Sequence, residues 1–421
     1  MSKLKKKLTK LIGPGFITGA SDDDPAGIIT YTQAGVVAPR FGLLWTAFVT
    51  FPLMTAVQEI AGRIGLVTGK GLGQVIGERY SKPMLYLVVA VLFAANTVTI
   101  GADIGAMSTA VQILLPVVPQ GLALVAITGL SIYLAIFVSY KAYGRILKWL
   151  GLSLLAYILA VLISGVDWKL ILTNIFVPHI EFTAEFFYTL VAVLGTTISP
   201  YLFFWEASEE VEEERMLHLL RKSKPPKISK QNIREMREDT AIGMGVSNLV
   251  MFFVMAASAT FVFPQGIRFI DNADQAISAL SSLGAYAPYL FALGILGTGL
   301  LALPVLAGSA AYALSEALNW KEGLYRKFND ARGFYGLIAI SMILGLVINF
   351  FGFNVFRMLV LSAVINGLAA PLIIFLMLRI ASDSKIMGKY VSSTFINVLG
   401  FLAAAVMTAA GAFLLFNLGD L

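Results

Sequence analysis

Ser21-Asp22-Asp23-Asp24-Pro25-Ala26-Gly27 and Thr196-Thr197-Ile198-Ser199-Pro200-Tyr201 interrupt two stretches that are otherwise apolar enough to cross a bilayer. Each places a helix breaker and polar groups near the middle of its stretch. Proline removes a backbone donor and glycine loosens the turn, so the helix is expected to unwind there. Three carboxylates at membrane depth are expensive, and such groups are kept mainly to handle ions or protons. Paired breaks at corresponding positions of two halves point to the midplane binding site of a secondary transporter. The acidic break makes a cation the expected cargo.

Composition agrees with a membrane reading. The chain is 58% hydrophobic and only 13% charged, where soluble domains carry about 25% charged residues. Uncharged runs of spanning length recur, among them Met84 to Ala102, Gln120 to Tyr140, Trp149 to Val166 and Thr240 to Ile267. Each holds or approaches the roughly 20 residues that a spanning helix needs. With the interrupted span at 13–37 and Gly42 to Leu66, about eleven transmembrane helices are expected in an all-α polytopic protein. Charge placement orients them. The basic start (Lys3, Lys5, Lys6, Lys7, Lys10) and alternate loops at Arg63 to Lys82, Lys141 to Lys148, Arg215 to Arg237, Lys321 to Arg332 and Arg379 to Lys389 share one side. By the positive-inside rule that side is cytoplasmic, with the N-terminus, and the C-terminus lies outside. The net charge of +6 follows from this asymmetry and calls for no nucleic-acid partner. The Asp triplet and the missing small-residue cleavage site argue against a signal peptide. With no cysteine in the chain, disulfides and thiolate metal sites are excluded.

One transmembrane domain, 1–421, is expected. The long polar stretch from Glu206 to Asp239 reads as a helix end followed, from Glu212 onward, by a solvated loop. Glu206, one residue after Trp205, is a candidate for an exit path. Because the breaks fall in helices one and six, a repeat of five helices is implied by position. Frequent glycines within the spans suit close helix packing.

Further residues carry a family resemblance. Gly13-Pro14-Gly15-Phe16, Asp24-Pro25, Phe41-Gly42-x-Leu44-Trp45, Arg63-Ile64-Gly65-x-x-Thr68-Gly69 and Glu78-Arg79-Tyr80-Ser81-Lys82-Pro83 resemble NRAMP divalent-metal transporters. The likeness runs from about residue 11 to 110 and resumes from Gly195 to Trp205. It implies two inverted five-helix repeats (11–165 and 185–380), with unwound helices one and six, and an appended helix at 390–418. The expected location is a prokaryotic cell membrane. Two departures bear on the cargo. The family's Asp-Pro-Gly-Asn reads Asp24-Pro25-Ala26-Gly27 here, and its Met-Pro-His reads Ser199-Pro200-Tyr201. Oxygen donors without a thioether suit hard cations, and Mg²⁺ commonly keeps several waters. The resemblance is therefore drawn toward the NRAMP-related magnesium transporter branch. Helix three keeps only Asp103 where Asn96 and Ala106 replace usual carboxylates, and neither His179 nor His218 lies within a span. A histidine relay is absent, so transport uncoupled from protons is expected, with a proton-coupled Mn²⁺/Fe²⁺ carrier as the alternative.

The expected metal ligands are Asp24, Ser21, Thr196 and Ser199, mainly through the Asp24 carboxylate and through carbonyl or hydroxyl oxygens. Asp22, Asp23, Gly27, Tyr201, Asp103, Glu206 and Asn366 are expected to line the path or support the ligands. Each has a plainer reading. Asp24 suits a helix cap. Asp22 and Asp23 suit a wet vestibule. Ser199 and Thr196 suit freed backbone groups. Asp103 suits a structural partner for a helix end, and Glu59 a pair with Arg63 one turn later. Since residues 13–23 form the inner half of helix one, Asp22 and Asp23 are assigned to the inner exit, where together with Glu206 they offer the cation a second, weaker station. An amino-acid carrier would place three aspartates against its substrate's carboxylate. A channel would show a repeated pore loop, and an enzyme a nucleophile–base pair. The expected function is thus alternating-access transport of Mg²⁺ or Mn²⁺ within membrane lipid, with no cofactor and no obligate protein partner.

Overall fold

Proline forces the residue before it out of the helical region, and the chain uses this device twice. In the computed structural model, which describes residues 13–39, 41–138, 152–176, 178–220 and 226–420, Asp24 (φ −70°, ψ 171°) precedes Pro25. Ser199 (φ −83°, ψ 132°) likewise precedes Pro200. The preceding residues, Asp23 and Ile198, are also non-helical (ψ 51° and 60°). Each break is therefore two residues long, with proline as the first residue of the resumed helix. That is where its missing N–H is harmless.

Among the described residues, helices of eleven spans follow in chain order. The first is split into α1 (Pro14–Asp22) and α2 (Pro25–Val36). Then come α3 (Trp45–Thr68), α4 (Lys82–Leu114), α5 (Gln120–Phe137) and α6 (Leu155–Ile163), the described part of span five. The sixth span is split into α7 (Ala184–Thr197) and α8 (Pro200–Met216). It precedes α9 (Lys230–Phe261), α10 (Ala287–Leu318), α11 (Arg332–Ile348), α12 (Val355–Ala381) and α13 (Thr394–Phe416). Among the described residues, eight helical stretches are long and apolar enough to cross a membrane. The other three spans are the broken first, the short described part of the fifth, and α3, which carries Gln58, Glu59 and Arg63.

Span one lies against span seven, and span six lies against span two, while span three lies against span eight. These are equivalent pairings in two repeats of five, and the architecture is an all-α inverted-repeat bundle with an appended eleventh helix. Small residues bring the backbones together. A methyl group added at Gly19 would sit 2.3 Å from the Gly243 carbonyl, and one at Gly195 2.0 Å from that of Ala363. Such contacts replace the hydrophobic drive that lipid removes. α1 has no cap of its own; Asp239 on α9 accepts from the amides of Gly13 (3.0 Å) and Phe16 (3.2 Å) instead.

The basic loops meet at one end. Arg79 pairs with Asp383 at 3.3 Å, Arg63 donates to the Tyr390 carbonyl, and Arg215 stacks over Tyr325. Arg268 and Arg357 lie in the other set of loops, where Arg357 pairs with Asp271 at 2.6 Å. The chain start (Lys3 to Lys10) and Lys141, Arg145 and Lys148 fall outside the described residues. Glu59 does pair with Arg63, and also with Arg237 at 3.0 Å. One expectation is overturned. From Glu212 the chain is not yet a solvated loop, because α8 continues to Met216. Glu212 accepts from the Leu324 amide at 2.6 Å, and Glu214 is buried.

Candidate functional site at the broken helices

Unwinding leaves the last carbonyls of α1 and the first amides of α2 without intrahelical partners. Asp24 answers part of that need. It caps α2, its Oδ1 accepting from the Gly27 amide at 2.6 Å. Its Oδ2 accepts from the Tyr201 hydroxyl at 3.3 Å, and the same hydroxyl lies 3.2 Å from the Ser21 carbonyl. Cap and ligand roles are compatible, since a capping carboxylate keeps lone pairs free. Tyr201 thus joins the second break to the first.

Gly27 marks the centre of this arrangement. A Cβ there would lie 3.1 Å from the Asp22 carbonyl oxygen, 3.2 Å from Thr196 Oγ1 and 3.3 Å from Asp24 Oδ1. Three oxygens of three kinds therefore converge where this chain has no side chain. The C-terminal ends of α1 and α7 add the negative poles of two half-helices, which favour a cation. Among the described residues no group of three His, Cys, Asp or Glu is arranged to hold a metal. An ion here would be held by one carboxylate plus neutral oxygens, and its remaining positions would go to water. Ser199 lies at the second break, but its hydroxyl donates to the carbonyls of Gly195 (2.6 Å) and Thr196 (2.9 Å). Only its lone pairs remain for an ion.

The third span reaches the site through Asp103, whose Oδ1 accepts from the Ala26 amide at 3.1 Å. Its Oδ2 is buried without a hydrogen-bond partner among the described residues. Asn96, by contrast, is spent on α10, donating to the Leu306 carbonyl and to Ser309 Oγ, both at 2.9 Å. Asn366 donates to Thr99 Oγ1 (3.2 Å) and to the Ser362 carbonyl (3.1 Å). The bond to Thr99 ties α12 to α4, and neither bond reaches Asp24.

Asp22 and Asp23 are buried, at 0% and 4% exposure, and do not face a wet vestibule. Ser247 on α9 donates to Asp22 Oδ2 at 2.6 Å and lies 3.2 Å from Asp23 Oδ1. Glu206, fully buried, accepts from Thr18 on α1 and from Thr240 on α9. Ser247, Thr18 and Thr240 escaped the sequence reading because an isolated hydroxyl in an apolar span carries no pattern. Glu210 and Glu214 did carry one: they follow Glu206 at intervals of four, which on a helix is one face.

A bundle of two five-helix repeats, with facing breaks that present carboxylate and carbonyl oxygens at mid-span, defines a secondary transporter. The sequence belongs to the NRAMP family: residues 15–417 match the family described as natural resistance-associated macrophage protein-like. It is 26% identical over 426 residues to a protein of Klebsiella pneumoniae called divalent metal cation transporter MntH. That match covers 98% of this chain and 95% of the relative. The fold is similar to that of the Eremococcus coleocola manganese transporter (TM-score 0.74, 17% identity, 98% of this chain and 87% of the other). It also resembles MhsT, solved in complex with L-phenylalanine (TM-score 0.61, 13% identity, 96% and 98% covered). The same scaffold therefore serves a metal transporter and an amino-acid-binding one, so cargo has to be argued from the site.

Proposed function

We propose that this protein carries divalent metal cations by alternating access, binding them between the two breaks with Asp24 as the principal ligand. The observation that carries the reading is the convergence of Asp24, the Asp22 carbonyl and Thr196 Oγ1 around Gly27. Opposite charge at short range in a low-dielectric site favours a cation strongly. Amino-acid cargo fits poorly, because its carboxylate would meet Asp22, Asp23 and Asp24. The names of the relatives favour Mn²⁺ as the cargo of this site. Asp103 is the group suited to carry a proton alongside the metal, since one of its oxygens is buried and unpartnered beside the break. The basic end is assigned to the cytoplasm by the positive-inside rule.

A second reading, uncoupled Mg²⁺ transport, rests on a separate observation. Position 27 offers no side-chain donor, and Ser199 replaces a thioether with a hydroxyl. Hard, partly hydrated cations suit such a site. Uptake of Mn²⁺, Mg²⁺, Ca²⁺ and Cd²⁺ into proteoliposomes with an internal pH dye separates the two. Metal-dependent acidification with Mn²⁺ preferred supports the coupled carrier. Mg²⁺ uptake at constant internal pH supports the second reading. Absence of divalent uptake, with active control protein in parallel, overturns both.

A further inference from the structure

Below the break, buried polar groups continue toward the basic end in single file. On α1, Thr18 lies one turn before Asp22 and donates to Glu206. On α8, Glu206, Glu210 and Glu214 follow at successive turns, exposed to only 0%, 4% and 1%. Eight residues of α-helix extend about 12 Å, so the row covers the rest of α8 to its last turn. Glu210 is within electrostatic reach of Glu206, Glu214 and Asp239.

These acids are not equally satisfied. Glu206 has two threonine hydroxyls, and Asp239 has two backbone amides. Among the described residues, both carboxylate oxygens of Glu214 are buried without any hydrogen-bond partner, as is Asp22 Oδ1 at the other end of the file. A buried carboxylate without a partner is strongly unfavourable. Arginine is close at hand in this region, yet Arg63 and Arg237 both engage Glu59. The geometry points to a positive partner that is transient.

We propose that Glu210 and Glu214 form a terminal cation station, continuing the file from Asp22 through Glu206, at which a partly hydrated divalent cation pauses on the side of the basic end. The proposal rests on the divalent-cation reading above. No three carboxylates converge in the described residues, so each step holds the ion through one or two carboxylates and its own water. Weak, repeated stations suit release, because an ion must leave each one in turn.

The test compares the two faces of the membrane. Radioactive Mn²⁺ flux is measured in right-side-out and inside-out vesicles for the wild type, Glu210→Gln/Glu214→Gln and Glu210→Asp/Glu214→Asp. The glutamine pair should raise the KM from the basic-end side by about tenfold and leave the KM from the other side within about twofold, and the aspartate pair should restore much of the difference. Equal KM changes from both sides, or none from either, would overturn the station. Should the glutamine pair fail to fold, the unaltered protein still decides. Mn²⁺ should shield Glu214 from carbodiimide-directed labelling with glycine ethyl ester, read by peptide mass spectrometry, and unshielded labelling in saturating Mn²⁺ would refute the proposal. If the wild type itself moves no Mn²⁺, the underlying function fails and the station with it. If the wild type transports and the glutamine pair matches it from both sides, only the station fails.

Discussion

The two breaks share a backbone solution and differ in chemistry. Each has two non-helical residues before a proline, yet the first carries three carboxylates and the second only hydroxyls, carbonyls and Tyr201. At the breaks themselves charge is thus concentrated on span one, while the break in span six contributes neutral oxygens and the Tyr201 bridge to Asp24, its carboxylates Glu206, Glu210 and Glu214 lying further along α8. In the proposed site, unwinding makes a place for an ion by freeing backbone groups, and side-chain charge would decide how firmly the ion is held.

Neutralising the charged break is therefore expected to have the largest effect. Asp24→Asn should reduce uptake by about a hundredfold or more, the scale of ~3 kcal/mol lost when one member of a buried charge pair is removed. Ser199→Ala should lower it only about threefold, within the ~1 kcal/mol typical of a single neutral hydrogen-bonding group. Parallel uptake assays on the two variants, matched for folding by size-exclusion elution, measure the asymmetry. Comparable losses in both would erase it.

Making the second break softer is the next largest change. Ser199→Met with Gly27→Asn adds a thioether and an amide where oxygens now converge, and should strengthen Cd²⁺ competition by about tenfold while weakening Mg²⁺ uptake. A Cβ at 27 meets three oxygens at 3.1–3.3 Å, so those neighbours must yield by a few tenths of an ångström. Gly27→Ala is the control that contains this crowding without the new donor. Unchanged Cd²⁺ competition in the double variant would mean that position 27 does not face the ion.

Asp103 stands outside both breaks but touches the first through Ala26. Asp103→Asn should abolish metal-dependent internal acidification while Mn²⁺ binding, followed by calorimetry, changes by no more than about threefold. Persistent acidification would move proton transfer to another acid. The smallest effect is expected one helix away, at Ser247→Ala. Loss of its bond to Asp22 should lower thermal stability by ~1 kcal/mol or less and slow transport without altering metal preference. A changed preference would make Ser247 part of the ion's surroundings.

The division between legible and illegible parts follows physical lines. Pro25 and Pro200 announced their breaks because the restriction on the preceding residue is local. Asp24 is legible as a candidate ligand because a carboxylate at membrane depth needs a reason. Glu214 reads as solvated from the sequence, since a run of glutamates ending a span looks the same whether water or protein covers it. α8 instead continues to Met216, and within that last stretch Glu214 is buried while Arg215 and Met216 are exposed. Chain direction assigns Asp22 and Asp23 to one half of span one, but their partner Ser247, 225 and 224 residues away, belongs to a helix whose sequence is silent about that contact.

The sequence by itself determined the number of spans, the gathering of basic loops at one end and the two unwound segments. Each of these depends on hydropathy, charge or proline acting over a few residues. Only the tertiary structure decided which oxygens meet at Gly27, that Tyr201 reaches Asp24, and that Asp103 binds the Ala26 amide while Asn96 turns to α10. Those contacts join helices far apart in the chain, and their distances are set by where small residues such as Gly19, Gly195 and Gly243 let backbones approach. Close packing of that kind is a property of two surfaces together, and neither surface states it alone.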